Sequence, residues 1–190
     1  MTEMNSLEKG ICKYITPTEA ELNSITSKFK TKIITKDRLL LRSGQISNEF
    51  MFVKQGCLRI FWEKENGKEI TNWFVFDNEF FCELNTYIPQ KPTYCNVQAI
   101  EETTLYYITR DEITLLFKTV PIFETFFRKF WEEIITFMLD GIVSFQSETA
   151  EERYRKMMKR PELMQRIPLK YLSSLLGITP TSLSRLRKQI

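Results

Sequence analysis

The residues best equipped for specific polar contacts lie in the final stretch of the chain, IPLKYLSSLLGITPTSLSRLRKQI, from Ile167 to Ile190. Thr179, Thr181, Ser182 and Ser184 bring hydroxyls there, and Arg185, Arg187 and Lys188 bring cations. Hydroxyl and guanidinium donors with no general base beside them suit recognition rather than bond making. Their natural acceptors are phosphate oxygens and base-pair edges, and the arginine fork matches guanine O6 and N7 in the major groove. Arg185 is expected to read a base. Thr181 and Ser182 are placed to reach phosphate or a base edge, while Arg187 and Lys188, later on the helix, meet the backbone. The partner predicted by this chemistry is double-stranded DNA.

Such a row of donors has to be carried by two crossed helices. Leu169, Leu172, Leu176, Ile178, Leu183 and Leu186 are spaced to fill the cleft between them, with Ile190 inward at the end. Ser173 is the small residue required where the helices touch. Gly177 permits the positive φ that ends the first helix. Thr179 can cap the second, whose first turn tolerates Pro180 because no N–H is missed there. The pattern predicts a helix-turn-helix over 168–190. Charge agrees: from Glu151 onward ten Lys/Arg face only Glu151, Glu152 and Glu162, a net +7, whereas the preceding 150 residues hold 17 basic and 21 acidic side chains. The overall +3 hides a basic tail on a mildly acidic body, as phosphate neutralisation requires.

Other chemistries find no residues to carry them. The chain has no histidine, which removes the commonest general base and metal ligand together. It has no phosphate-cradling glycine loop. Cys12, Cys57, Cys82 and Cys95 lie far apart with no C-x-x-C pair and read as reduced thiols. No enzyme, no metal site and no resident cofactor is expected. No signal peptide and no apolar run of the ~20 residues that span a bilayer are evident, so a cytoplasmic protein without membrane contact is predicted.

Upstream, Thr16-Pro17-Thr18-Glu19 reads as a capping box opening a short helix that buries Ala20, Leu22, Ile25 and Phe29. From about Lys30 to Ile108 the chain breaks into seven or eight short runs rich in branched and aromatic residues. Asn66-Gly67 predicts a two-residue hairpin turn. Strands at this spacing suggest a closed or rolled antiparallel sheet, hence an α+β fold. A short helix over about 110–118 and a long one over about 121–145 follow. On the long helix Phe123, Phe127, Phe130, Ile134 and Phe137 form one apolar seam, and Trp131, Ile135, Met138, Ile142 and Phe145 a second beside it. One seam can pack on the chain's own sheet; the other needs a second surface, for which a parallel copy of the helix is the economical choice. The first seam is assigned to a homodimer, with the choice between the two seams left open. The segment SETAEERYRKMMKRPELMQR then leads through a hinge and one more basic helix to the reader.

This order of parts resembles the Crp–Fnr regulators over nearly the whole chain. The most specific pieces are Gly44, Gly56 and Gly67, the segment DNEFFCELNTYIPQKPTYCNVQA, and LGITPTSLSRLRK, and the likeness is greatest to the branch common in Bacteroidetes-type bacteria. The resemblance implies a bacterial homodimeric transcription regulator with three parts. These are a cyclic-nucleotide-binding-like jelly roll with its lead helix over 1–120, a long dimerisation helix over 121–146, and a helical DNA-binding region over 147–190. The β-hairpin wing usual in the family is not expected after Ile190. RNA polymerase is implied as a further partner. Nucleotide-binding members hold ribose with a glutamate and the cyclic phosphate with an arginine and a helix N-terminus. The matching positions here are Phe81, Cys82, Glu83 and Leu84, with Thr93 and Tyr94 where the arginine pair should stand. Glu83 is retained, Cys82 replaces a glycine, and no arginine lies between Arg59 and Arg110. Lys91 is near but is a point charge without a fork. Cyclic AMP is therefore not the expected effector; what remains is an unidentified small molecule, or a roll that has lost its ligand and serves as a dimer scaffold. Iron–sulfur sensing would need an N-terminal cysteine cluster, and only Cys12 lies in the first fifty residues. The alternative is a small-ligand-sensing module whose tail contacts protein instead of DNA.

Overall fold

A computed structural model describes residues 4–189. Ile190, assigned above to the helix cleft, lies outside the described residues. Eight strands form the roll: β1 (Lys30–Ile34), β2 (Leu39–Leu41), β3 (Glu49–Gln55), β4 (Leu58–Glu63), β5 (Glu69–Val75), β6 (Phe80–Phe81), β7 (Asn96–Ala99) and β8 (Thr103–Thr109). They make two four-stranded sheets, β1-β8-β3-β6 and β2-β7-β4-β5, with every pairing antiparallel. Alternation along the strands sends Met51, Val53, Leu58, Ile60, Val75, Phe81, Val97 and Leu105 into one cluster between the sheets.

The turns follow from residue type. Gly67 has φ +77°, and its N–H donates to the Lys64 carbonyl while Lys64 N–H donates to that of Lys68. The β4–β5 loop is therefore the three-residue kind, a turn closed by one left-handed glycine, rather than the two-residue turn expected from Asn66-Gly67. Gly56 has φ +117°, and a Cβ there would come within 2.6 Å of the Thr103 backbone, so no other residue fits between β3 and β4.

Helices α1 (Ser6–Cys12) and α2 (Glu19–Thr26) lead into the roll. The capping box of α2 pairs Thr18 with Glu21, two residues later than read from the sequence, because Thr18 is the residue with extended backbone at the helix entry. α1 was not anticipated, although Asn5 and Glu8 form a capping box of their own. A one-turn helix, α3 (Leu84–Tyr87), follows β6. After β8 come α4 (Arg110–Thr119) and the long α5 (Ile122–Ser147). Phe123, Phe126, Phe127 and Phe130 of α5 are buried against Phe50, Phe52, Ile108 and Leu116 of the same chain. Rings in this cluster meet edge to face or stacked, such as Phe50–Phe130 with centroids 5.1 Å apart. No helix among the described residues is long and apolar enough to cross a membrane.

Candidate functional site

The C-terminal head comprises α6 (Ala150–Met157), α7 (Pro161–Arg166), α8 (Leu169–Leu176) and α9 (Pro180–Gln189), so the single basic helix expected before the reader is in fact two. Met157 ends the first, and after a short turn Arg160 stands as N-cap of the second, whose first residue Pro161 occupies a position where proline costs no hydrogen bond. Leu172, Leu175, Leu176 and Leu183 are buried between α8 and α9, with Ile178 and Leu186 packed at the edge. Gly177 ends α8 with φ +74°, and its neighbour Ile178 returns an N–H to the Ser173 carbonyl. Thr179 Oγ1 accepts the Ser182 N–H at 3.1 Å and caps α9. Ser173 is buried at the crossing.

With Leu183 turned inward, Thr181, Ser182, Arg185 and Lys188 stand exposed on the outer face of α9. Neither α8 nor α9 carries an acidic residue in its first turn. The donors differ in freedom. Thr179 and Ser182 hydroxyls lie 2.9 Å apart and share a hydrogen bond. Arg187 donates from Nε to the Tyr154 hydroxyl of α6 at 3.1 Å, which draws its guanidinium back toward the head. Ser184 is half-buried beside this exposed face. The result is a cationic, hydroxyl-bearing ridge backed by a fixed apolar crossing.

The second group of residues gathers at the β6–α3 junction. Glu83 is the N-cap of α3 and is buried; its Oε1 accepts from Asn85 Nδ2 at 2.8 Å and from the Asn85 N–H at 3.3 Å. Its Oε2 is buried with no hydrogen-bond partner. Asn85 Nδ2 also lies 3.8 Å from Cys95 Sγ, and Thr93 Oγ1 accepts the Cys95 N–H at 2.9 Å. Burial, and then the nearby Glu83 charge, push the Cys95 thiol up to about 11. Glu83, Asn85, Thr93 and the exposed Tyr94 thus surround Cys95, and Trp62 lies edge-on to Tyr94 with centroids 6.5 Å apart. Phe81, Cys82 and Leu84 point elsewhere: Phe81 fills the core between the sheets, while Cys82 and Leu84 pack in the cluster under α5. Of the six candidate ligand residues, then, only Glu83, Thr93 and Tyr94 share one place. Arg59 and Arg110, the flanking arginines, are engaged away from it: Arg59 with Glu69 and Arg110 with the Tyr87 and Ile88 carbonyls. A separate cavity of about 400 Å³ opens beyond Phe81, between Lys32, Leu41, Gln45, Glu49, Met51 and Val97, and does not include Glu83.

The family described as cyclic nucleotide-binding domain matches residues 31–120, the roll and α4. A solved catabolite activator protein from Thermus thermophilus superposes with TM-score 0.60 at 18% identity, over 95% of this chain and 85% of its own. A CooA mutant from Carboxydothermus hydrogenoformans gives TM-score 0.69 at 19% identity, over 100% of this chain and 85% of its own. The c-di-GMP responsive global regulator CLP of Xanthomonas campestris gives TM-score 0.68 at 13% identity, over 90% and 91%. This chain has the Crp–Fnr regulator fold. The likeness at these identities is one of architecture. An uncharacterized protein of Haemophilus influenzae is 28% identical over 76 residues, 40% of this chain, and the chain spans 58% of that curated relative's length.

Within the Crp–Fnr fold the long helix divides its two seams differently from the sequence reading. Phe123, Phe127 and Phe130, assigned there to the dimer, are sealed in the chain's own core, and Ile134 packs against that core. Phe137 is partly exposed, with its ring 4.6 Å from that of Trp73. The reason is the adjoining sheet: Phe50 and Phe80 offer an aromatic floor that takes this seam first. The other seam is bare beyond Trp131, whose ring packs against the same core. Ile135, Met138, Ile142 and Phe145 are exposed, joined by Leu139 and Val143.

Proposed function

We propose that this protein is a homodimeric, DNA-binding transcription regulator whose effector is not cyclic AMP. The carrying observation is α9, which hides Leu183 and turns Thr181, Ser182, Arg185 and Lys188 to solvent behind a Thr179 cap. An arginine in the middle of such a face can make the bidentate guanine contact, while the flanking hydroxyls and Lys188 take phosphate. A dimer is part of this reading, because one module contacts too few bases for a specific site whereas a twofold pair would read two half-sites about one turn apart. The exposed seam of α5 at Ile135, Met138, Ile142 and Phe145 has the alternating three- and four-residue steps of a parallel helix pair.

The effector reading rests on Glu83. Its buried, unpartnered Oε2 lacks a donor, and among the described residues no arginine or lysine hydrogen-bonds the group. Adding a phosphate beside an uncompensated buried carboxylate is unfavourable. The relatives support the regulator class, and the Xanthomonas protein is described as responsive to a different nucleotide.

Competition gel shifts against genomic fragments, at low and moderate salt, test the DNA reading. A regulator of this kind retains some fragments in the presence of excess random DNA, with affinity falling steeply as salt rises. Uniform, weak retention of every fragment would leave the tail as a protein-binding surface instead.

A further inference from the structure

The head is not merely tethered to the roll; a buried cation joins them. Arg59, on the outer face of β4, is only 1% exposed. Its Nε donates to Thr71 Oγ1 at 2.9 Å and its Nη1 to the Glu69 carboxylate at 2.6 Å. The guanidinium carbon lies 4.2 Å from the ring centre of Phe61 and 3.7 Å from that of Tyr171, which belongs to α8. One turn further along α8, Ser174 Oγ accepts the Thr71 N–H at 2.9 Å and donates to the Glu69 carbonyl at 3.3 Å. β5 is the edge strand of its sheet, so these groups would otherwise face water.

The surroundings divide the work. Cys57, Phe74, Phe76 and Ile100 of the roll form one apolar cluster with Tyr154, Leu163, Ile167 and Leu172 of the head, which attaches the two without fixing a register. Register comes from directional groups. Arg166 bridges Asp77 and Glu101 and donates to the Gly56 carbonyl at 2.8 Å, and Arg160 pairs with Glu79 at 3.0 Å. At Arg166 burial opposes the charge, but the two carboxylates outweigh it and raise its affinity for the proton. These pairs are half-buried and so are partly screened by solvent. Arg59 is different: a fully buried cation is tolerated only where its donors and ring contacts are all in place, and buried polar groups of this kind specify one arrangement among several apolar ones.

We infer that Arg59 is a positioning residue which locks the first helix of the helix-turn-helix onto the edge of β5 and so fixes the orientation of the reading helix. Planarity matters: the fork serves Thr71 and Glu69 while two rings lie against the guanidinium, which a lysine cannot reproduce. The consequence for DNA rests on the proposed function; the lock itself does not.

Hydrogen exchange on the full-length protein tests it without DNA. The Thr71 amide donates to Ser174 on the head, whereas the amides of β8 lie between two neighbouring strands. In Arg59→Lys and in Tyr171→Ala, exchange at Thr71 is expected to quicken at least about tenfold while β8 stays as protected as in the wild type. Tyr171→Leu, which keeps apolar bulk but removes the ring against the guanidinium, gives the same local effect if the larger changes fail to fold. Unchanged exchange at Thr71 in Arg59→Lys and Tyr171→Ala would overturn the lock. Equal acceleration at Thr71 and throughout β8 would also overturn it, since roll and head would then open as one unit. If the exchange result holds and the wild-type protein itself shows no sequence-specific DNA binding, the functional reading fails and the lock stands.

Discussion

At the scale of single residues, charge placement decides what the molecule recognises. Arg185 has an open guanidinium at the centre of the reading face, whereas Arg187 is tied to Tyr154. Arg185→Ala should therefore cost ~1–3 kcal/mol on a specific site and relax selectivity at one base pair of each half-site. Lys188→Ala should weaken all sequences alike and lower the salt slope by about one unit. Competition binding with both variants separates the two roles, and equal losses on specific and random DNA for Arg185→Ala would refute base reading. Glu83 works in the opposite sense. Its buried Oε2 repels an anion that no neighbouring cation offsets, so calorimetry with cyclic AMP should give no saturable heat in the low-micromolar range. A micromolar dissociation constant would show that Thr93 and Tyr94 substitute for the missing arginine.

At the scale of elements, the outcome depends on which neighbour an apolar surface meets first. The two seams of α5 are equally apolar in sequence; Phe50 and Phe80 on the roll make one of them internal. Phe130→Ser should then destabilise the folded chain itself by ~3–5 kcal/mol, read by chemical denaturation. Ile135→Ser with Ile142→Ser, both at exposed positions, should leave the chain folded but shift sedimentation from dimer to monomer at micromolar concentration. A pair of changes that left the dimer intact would move the interface elsewhere. The same contrast explains what the sequence disclosed. The head was readable because its signals are local: Gly177, Thr179, Pro180 and the leucine spacing all act within a turn or two. So were the strands of the roll. The choice of seam, the burial of Arg59 and the partners of Glu83 depend on residues distant in the chain, and a lone arginine in a strand reads as solvated until Tyr171 is seen above it. α1 was missed for another reason: only Leu7 and Ile11 of its seven residues are buried, too few to show a period, although Asn5 and Glu8 marked its start.

At the scale of the whole molecule, roll, long helix and head converge on one side chain. Trp73 packs against the core between the sheets and against the cluster shared with the head, meets Phe137 of α5 at 4.6 Å, and has the Arg160 guanidinium 5.7 Å from its ring. An indole in that position is a built-in optical probe of the whole assembly. Cationic and aromatic neighbours alter its emission, and any rearrangement of the three parts changes how many of them it keeps. With Trp62 and Trp131 replaced by phenylalanine, the remaining fluorescence should shift to longer wavelength in Tyr171→Ala, as the loosened head admits water around the ring. Emission identical to that of the Tyr171 parent would mean that the head stays seated. The same single-tryptophan protein could then be titrated with small molecules, its colour reporting an effector whose identity need not be guessed beforehand.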